Sequence, residues 1–398
     1  MELKQIAVDE LRFGMYVSKL DRPWTETPFV FQGFVLKSDK QIDILKKHCK
    51  HVFVDPEKED VSEVAKVSKE EIAKVRGSTV YKELTSVEAE LPQAKTVITN
   101  TTAIVRELSR TVEIGNALDS SRSREAATQI TDSVVRNPDA ISLLIKLQEK
   151  SGETLSRAME ISVMMTIFGR FLQMSREQLE ILGMLGLLQD VGKLKLPSEL
   201  AARGPVTPAE VELYQTHVNH SVEILSNTRG LPADLPGLAS LHHERYDGSG
   251  YPRGLRGQGI ALSGLIAGIV DSFDMLTAPP PFGENMSPSN ALSVIFKGRG
   301  KQFHPALVEQ FIQCVGVFPV GSVVEMNSGE IAVVVAQNLV RRLQPRVMVV
   351  QDAQGNPVKP HKMLDLMKEP KATADEPYRI HRALEYDKVK IDPRELFL

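Results

Sequence analysis

Three histidines, His217, His242 and His243, are interleaved along the chain with two aspartates, Asp190 and Asp271. Mixtures of imidazole and carboxylate ligands suit Mn, Fe or Zn, and a carboxylate that bridges two such ions suits the hydrolysis of phosphate esters. Taken alone, His217 also fits an ordinary buried histidine that makes a hydrogen bond. The adjacent pair of histidines is harder to explain by packing, so the spacing favours a metal site that acts on a phosphoester.

The candidate ligands fall in a region whose apolar pattern predicts packed helices. The segment LSRAMEISVMMTIFGRFL is apolar on most faces and predicts a central helix, and REQLEILGMLGLLQDVGKL predicts a second one. In TPAEVELYQTHVNHSVEIL, Thr207 is a candidate N-cap, Pro208 takes the first helical position and Glu210 completes a capping box. The pattern therefore predicts three helices in this region.

Strand-like patterns flank the helical region on both sides. Residues 1–60 alternate with period two and predict a small mixed β domain, whereas residues 61–150 have the composition and periodicity of a helical linker. Residues 318–368 predict a C-terminal β hairpin or small sheet, and the charged tail at 369–398 is expected to be extended or partly disordered. We therefore predict an α+β protein in which an all-α domain at 151–317 is flanked by two β segments.

Composition argues against several classes of protein. The net charge of −3 over 398 residues disfavours a surface for duplex nucleic acid or a basic membrane patch. Cys49 and Cys314 belong to no paired motif, so we expect reduced thiols and no disulfide. Met1 is followed by polar sequence, and no apolar run approaches the length of about 20 residues that spans a bilayer. We therefore expect a cytoplasmic protein.

The stretch HHERYDGSGYPRGLRGQGI, which contains Gly250, Tyr251 and Pro252, resembles the HHExxxGxGYP signature of HD-GYP domains. These domains are a branch of the HD metallohydrolases, and their usual activity is hydrolysis of the bacterial second messenger cyclic di-GMP. The resemblance runs from about residue 153 to residue 317. The segments LRFGMYV and VFVDP resemble the small domain of unknown function that often precedes HD-GYP domains, and FPVGSVVEMNSGEIAVVV resembles the β appendage that follows them. The resemblance implies a helical HD fold and a role in bacterial signal transduction.

The resemblance also implies a complete ligand set for one metal ion. In the family, one ion takes an aspartate and three histidines, which correspond here to Asp190, His217, His242 and His243. We therefore expect that one divalent transition metal, Mn, Fe or Zn, can bind. The alternative that the protein binds no metal stays open.

This chain lacks some of the residues that bind a second metal ion in the family. The family's two further histidines correspond here to Arg157 and Gln189, while its aspartates are kept as Asp190 and Asp271. Some members bind a third ion through a glutamate one turn before the first histidine, and Glu153 occupies that position. The resemblance therefore implies a degenerate two-metal site.

Arg157 can supply the positive charge that the second ion would have given. Without a cation, Asp190, Asp271 and Glu153 would repel one another or take up a proton. A guanidinium is always protonated and offers several donors to carboxylates. We predict that Arg157 forms an ion pair with one or more of these acids; the alternative is that it extends from the helix surface into solvent.

The phosphate-binding residues of the family are only partly present. Lys193 corresponds to the lysine that contacts substrate phosphate, but the basic segment that follows the last aspartate is replaced by APPPFGENMS. Pro280 stands at the arginine position, Phe282 replaces a tyrosine, and Gly283 and Glu284 replace the last basic pair. A ligand with two phosphates would lose charge-assisted contacts here.

Two functions stay open. The first is a pseudoenzyme or impaired member of cyclic di-GMP signalling that binds a nucleotide, or a protein partner through the rigid surface of Tyr251 and Pro252. The second is an active phosphodiesterase that makes the linear dinucleotide pGpG with Asp190 and Lys193 as catalytic residues. Loss of one ion from a two-metal site should cost several kcal/mol in the barrier, which favours the first function. A homodimer formed through the N-terminal segments is also open.

Overall fold

The computed structural model describes residues 3–11, 15–24, 27, 29, 33–36, 39–55, 67–147, 154–278, 283–338, 341–373 and 375–384. Glu153, Pro280 and Phe282, which the sequence singles out, lie outside these residues. The chain divides into two compact units, Val67–Val315 and a unit that combines Met1–Lys66 with Gly316–Leu398. Within the described ranges, no helix is both long enough and apolar enough to cross a bilayer.

The N-terminal segment forms the predicted mixed β structure. The elements are β1 Lys4–Ala7, β2 Tyr16–Leu20, β3 Phe34–Val35, α1 Asp39–His48 and β4 His51–Val54. The strands form one antiparallel sheet in the order β1-β4-β2-β3. Alternate residues of β4, Val52 and Val54, are buried in a core that also contains Cys49. Both cysteines of the chain lie in described residues and form no disulfide.

The C-terminal segment forms a five-stranded antiparallel sheet. Its strands are β5 Val323–Met326, β6 Ile331–Ala336, β7 Arg346–Gln351, β8 Pro357–Asp365 and β9 Ile380–Leu384, in the order β8-β7-β6-β5-β9. Strand β9 differs from the expectation for residues 369–398, because it lies in the predicted tail and pairs with β5. Tyr378 and Ile380 are buried in the core of this sheet. The apolar alternation of IHRAL is too short to mark a strand without that packing.

The Val67–Val315 unit is built from helices. They are α2 Lys69–Val75, α3 Val87–Glu113, α4 Ser120–Arg136, α5 Pro138–Leu147, α6 Thr154–Phe171, α7 Arg176–Leu188, α8 Ser198–Arg203, α9 Pro208–Gln215, α10 His217–Ser226, α11 Leu235–Ala239, α12 Leu262–Thr277, α13 Pro288–Lys297 and α14 Pro305–Val315. A short 3-10 helix, Val191–Lys195, follows α7. The predicted α+β class, with a helical domain between two β segments, is therefore confirmed.

Helix α6 is the central helix that the sequence predicts. Its consecutive residues Ile161, Ser162 and Val163 are all buried, so neighbours must cover the helix around its circumference. Those neighbours include α3, α4, α5, α7, α12 and α14. Helices from residues before 150 thus pack on the helix that carries Arg157, whereas the domain boundary proposed at 150 stays a prediction.

The predicted capping box at Thr207 is confirmed, but the helix that follows it is interrupted. Thr207 accepts from the Glu210 amide, and the Glu210 carboxylate accepts from the Thr207 amide. Helix α9 ends at Gln215 and α10 begins at His217, so one predicted helix is two helices. At the break, the Tyr214 carbonyl accepts a hydrogen bond from the imidazole of His217. The break thereby fixes the orientation of a candidate ligand.

Candidate metal centre

Four of the predicted ligands converge on one buried point. One ligand atom from each of Asp190, His217, His242 and His243 lies within 4.8 Å of the other three. Asp190 Oδ1 is 3.3 Å from His217 Nε2 and 3.4 Å from His242 Nε2. His217 and His242 are fully buried. The arrangement has the residue types and the spacing of a site for one divalent transition metal.

Backbone carbonyls set the tautomers of two of the histidines. His217 Nδ1 lies 2.6 Å from the Tyr214 carbonyl oxygen, and His242 Nδ1 lies 2.7 Å from the Ala239 carbonyl oxygen. A carbonyl only accepts hydrogen bonds, so each Nδ1 must carry the proton and donate it. Each Nε2 atom then presents a lone pair to the cluster, which is the usual arrangement of metal-binding histidines.

The ligand atoms themselves lack hydrogen-bond partners within the described structure. Asp190 Oδ1 and the Nε2 atoms of His217, His242 and His243 are all buried, and none makes a hydrogen bond of acceptable geometry. Buried polar atoms without partners are costly, and four that point at one another are more costly still. A bound cation would satisfy all four atoms together, so the donor set fits a metal ion.

Burial disfavours the charged form of two histidines of the cluster, His217 and His243. Burial lowers the pKa of His217 below its ordinary value, although the Asp190 carboxylate partly offsets the shift. Burial and the neighbouring imidazoles place the pKa of His243 well below its usual range. For Asp190, burial alone would raise the pKa, but the Lys193 ammonium and the adjacent imidazoles hold it well below its ordinary value. The cluster therefore combines a carboxylate with at least two imidazoles, those of His217 and His243, whose neutral form is favoured.

The turn after α7 explains the local sequence QDVGK. Asp190 immediately precedes the 3-10 helix, and the Gly192 amide donates to Ser221 Oγ at 2.9 Å. A Cβ atom on Gly192 would lie 2.0 Å from the His217 carbonyl oxygen and 2.4 Å from the Ser221 amide nitrogen. Only glycine therefore allows α10 to approach closely enough to bring His217 to Asp190.

Lys193 is bound to Asp190 in this structure. Its Nζ lies 2.7 Å from Asp190 Oδ2, and its side chain is 6% exposed. Burial opposes the charge of Lys193, but the Asp190 carboxylate outweighs it and raises the pKa of the lysine. The carboxylate thus turns one oxygen towards the histidines and the other towards an ammonium group. The predicted contact between Lys193 and a phosphate stays a prediction.

Arg157 forms an ion pair with Asp274, an acid that the sequence prediction did not name. Its Nε lies 2.8 Å from Asp274 Oδ2, and the two side chains are 18% and 9% exposed. The prediction named Asp190, Asp271 and Glu153. Among the described residues, Arg157 pairs with neither of the two aspartates. Glu153 lies outside the described residues, so its pairing with Arg157 stays a prediction. Asp274 follows Asp271 by three residues on α12, and positions three apart lie on neighbouring parts of one helix face. The alternative of an arginine directed into solvent is excluded by its burial.

Sequence reasoning missed Asp274 because it considered only the ligand positions of the family. The segment DSFD was visible, and two acids three residues apart on a helix are the signal that could have pointed to it. Burial opposes the charge of Arg157, but the carboxylates of Asp274, Asp271 and Asp190 raise its pKa. Burial raises the pKa of Asp274, because desolvation outweighs the nearby guanidinium. The guanidinium is thus a fixed positive charge among acids.

Two other predicted residues flank the cluster without joining the group of four. Asp271 is buried, and its Oδ2 lies 3.8 Å from His243 Nδ1, where it can orient that ring. Gln189 is fully buried, and neither atom of its amide has a hydrogen-bond partner among the described residues. Their proposed places in a second ion site stay predictions.

The loop of Gly250, Tyr251 and Pro252 packs against the cluster. The Tyr251 ring stacks on His243 with centroids 4.7 Å apart and an angle of 22° between the planes. A Cβ on Gly250 would lie 2.4 Å from the His243 carbonyl oxygen, so a side chain does not fit there. The Glu244 carboxylate accepts from the amides of Arg253 and Leu255, both at 2.8 Å, and so fixes the far end of the loop. The signature loop therefore forms part of the wall of the metal centre.

Comparison with known families places the chain among HD-domain proteins. Residues 139–307 match the HD domain, residues 3–122 match a domain of unknown function (DUF3391), and residues 323–379 match a KOW domain associated with the HD domain. Together with the signature loop and the relatives below, these matches show that the chain belongs to the HD-GYP family.

Several relatives are named cyclic di-GMP phosphodiesterases. The cyclic di-GMP phosphodiesterase PA4108 of Pseudomonas aeruginosa is 29% identical over 371 residues, which cover 92% of this chain and 89% of the relative. The cyclic di-GMP phosphodiesterase response regulator RpfG of Xanthomonas campestris is 32% identical over 181 residues, which cover 45% of this chain and 48% of the relative. A solved structure of Bd1817, an HD-GYP-type protein from Bdellovibrio bacteriovorus, covers 78% of this chain and 98% of its own, with 12% identity. The TM-score of this match is 0.48.

Proposed function

We propose that this protein is an HD-GYP member of bacterial cyclic di-GMP signalling that holds one divalent metal and is impaired in phosphodiester hydrolysis. The single observation that carries the proposal is the contrast between the two halves of the site. Asp190, His217, His242 and His243 present four unpartnered ligand atoms. In the other half, Arg157 stands where the family has a histidine, and it is paired with Asp274.

The cluster of four would hold the metal, which we propose to be Mn, Fe or Zn. A divalent ion bound there would supply Lewis acidity towards a phosphate oxygen. The carbonyls of Tyr214 and Ala239 hold His217 and His242 in the required tautomer. Tyr251 covers the His243 ring. These residues form a site that is pre-organised before any ion binds.

The other half of the site gives little support to hydrolysis. A guanidinium cannot act as a ligand for a cation, and the neutral amide of Gln189 is a weaker donor than an imidazole. Arg157 can balance the charge of Asp271 and Asp274, but it cannot activate water as a second ion does. Losing that contribution should raise the barrier by several kcal/mol. We therefore propose that the protein works through binding, either of a cyclic dinucleotide or of a protein partner.

Continued catalysis by a reduced site is the second candidate function. The complete set of four ligands favours it, as does the similarity over nearly the whole chain to a relative named a cyclic di-GMP phosphodiesterase. In this case Lys193, released from Asp190, would bind the phosphate of cyclic di-GMP, and the product would be pGpG. A protein partner at the rigid surface of Tyr251 and Pro252, and a homodimer formed through the N-terminal segments, are further proposals.

Turnover of cyclic di-GMP by the purified protein separates the two functions. The assay supplies Mn(II), or Fe(II) without oxygen, and resolves the linear products by chromatography. Variant His242→Ala removes a ligand. His220→Ala is the matched control, because its side chain is 37% exposed on the same helix as His217. No turnover by a folded, metal-loaded protein supports the impaired function. Turnover that His242→Ala abolishes and His220→Ala preserves would overturn it in favour of the active enzyme.

A further inference from the structure

A cleft reaches the metal centre from the side of α3. The α3 residues that line it are Val105, Leu108 and Ser109. The charged residues that line it are Arg157, Asp190 and Lys193. The cleft therefore combines an apolar helical wall with the cations of Arg157 and Lys193.

Two contacts hold α3 in place on either side of this wall. Before the wall, Thr102 Oγ1 lies 3.9 Å from Met159 Sδ on α6. After it, Lys195 Nζ donates to the Val112 carbonyl oxygen at 3.2 Å. Met159 lies two residues after Arg157, and Lys195 lies two residues after Lys193. The two contacts thus join α3 to the segments that carry Arg157 and Lys193.

The chemistry of the cleft suits a phosphate ester that carries a ring system. Binding pockets usually combine apolar walls with a few polar groups that fix orientation. Val105 and Leu108 provide the apolar surface. Arg157 and Lys193 pair with Asp274 and Asp190 in this structure, and their further N–H donors can bind a phosphate. Ser109 is half-buried at the edge of the wall, where its hydroxyl donates to the Val105 carbonyl at 2.9 Å. It can still accept a hydrogen bond from a ligand.

Helix α3 lies outside the part of the chain that matches the HD domain, residues 139–307. We propose that α3 is a specificity-determining wall of the ligand site, against which the ring system of a phosphate ester packs while its phosphate lies at the two cations. The proposal rests on the proposed function, because both concern the same site. It assigns to the segment before the HD domain a direct part in selecting the ligand.

Substitutions at Ser109 test the wall. Ser109→Trp fills the cleft, Ser109→Leu fills less of it, and Ala103→Trp is the matched control because Ala103 is exposed on the same helix. Calorimetry on the Mn(II)-loaded full chain measures binding of cyclic di-GMP and of bis(p-nitrophenyl) phosphate, a simple aromatic phosphodiester. We expect the dissociation constant to rise at least about tenfold for Ser109→Trp and by less for Ser109→Leu. Ala103→Trp should bind as the wild type does.

The outcomes separate this inference from the proposed function. Equal binding by the wild type and both Ser109 variants would refute the proposed role of α3 in ligand binding. A wild type that takes up metal but binds neither probe would also overturn it, while leaving the metal centre intact. A wild type that takes up no metal would overturn the proposed function. If this metal-free protein still binds a probe, and Ser109→Trp weakens that binding, the result would support the role of α3 in ligand binding without the metal centre. Metal content and circular dichroism of each variant show that the fold is retained, and Ser109→Leu decides the matter if Ser109→Trp does not fold.

Discussion

The ion pair between Arg157 and Asp274 should contribute measurably to the stability of the helical unit. Removing one partner of a buried ion pair typically costs about 3–5 kcal/mol, because the other charge is left uncompensated. Arg157 retains 18% exposure, so we place Arg157→Met near the lower end, at about 3 kcal/mol. Its loss also leaves Asp271 and Asp274 with less positive charge nearby.

Asp274→Asn should cost less than Arg157→Met. Asparagine keeps the size of the side chain and one oxygen acceptor. It also removes a carboxylate whose charge is already disfavoured by burial and by Glu160. We expect a loss of about 1–2 kcal/mol. The double variant should recover part of the summed loss, with a coupling energy of about 1–2 kcal/mol.

Urea unfolding followed by far-UV circular dichroism measures these differences in the metal-free protein. Arg176→Met is the matched control, because Arg176 pairs with Asp132 on the surface, where the two side chains are 46% and 40% exposed. Such a surface pair should contribute less than about 1 kcal/mol. The reasoning is refuted if Arg157→Met costs no more than Arg176→Met, or if the double variant shows no coupling.

The stability deficit of Arg157→Met, which is its loss in the free energy of unfolding relative to the wild type, should also depend on pH. The pKa of Asp274 is raised in the folded protein, and loss of the guanidinium raises it further. A group with a raised folded pKa binds its proton more tightly in the folded state, so protonation favours folding. The deficit should therefore shrink as the pH is lowered from about 7 to about 5. A deficit that grows over this range would contradict the assignment of the pair.

Three further predictions concern the metal centre. The double variant Arg157→His/Gln189→His should bind a second metal and raise turnover about a hundredfold or more, and an unchanged metal content would show that the second site is lost for another reason. Gly192→Ala should cost about 3 kcal/mol or more in urea unfolding and lower the metal content, because its Cβ would lie 2.0 Å from a carbonyl of α10; normal stability would refute the close approach. Tyr251→Ala should weaken Mn(II) affinity about tenfold and Tyr251→Phe should not, because the ring that stacks on His243 is kept in phenylalanine; equal affinities in both variants would refute the role of the ring.

The fold could be predicted from the sequence where the pattern is local and long. Helix α6 and the capping box at Thr207 follow from periodicity and end signals within single segments. Strand β9 could not be predicted, because it depends on pairing with β5, which is more than fifty residues away along the chain. The break between α9 and α10 depends on a hydrogen bond from His217 to the backbone, and periodicity does not report such a bond.

The residues that converge at the metal centre could be predicted as types, but their partners could not. The resemblance gave Asp190 and the three histidines as one group, and the structure brings the four together. It did not give the pairing of Lys193 with Asp190 or of Arg157 with Asp274, because family patterns record positions rather than contacts. Those two pairs follow from side-chain geometry, which shows how the buried acids Asp190 and Asp274 are balanced.

The count of metal ions per chain tests the central claim most directly. Mass spectrometry of the purified protein after loading with Mn(II) and removal of free metal gives this count for the wild type, His242→Ala and His220→Ala. The account predicts about one ion per chain in the wild type and in His220→Ala, and almost none in His242→Ala. Two ions per chain in the wild type would contradict it, because Arg157 would then not have displaced the second metal.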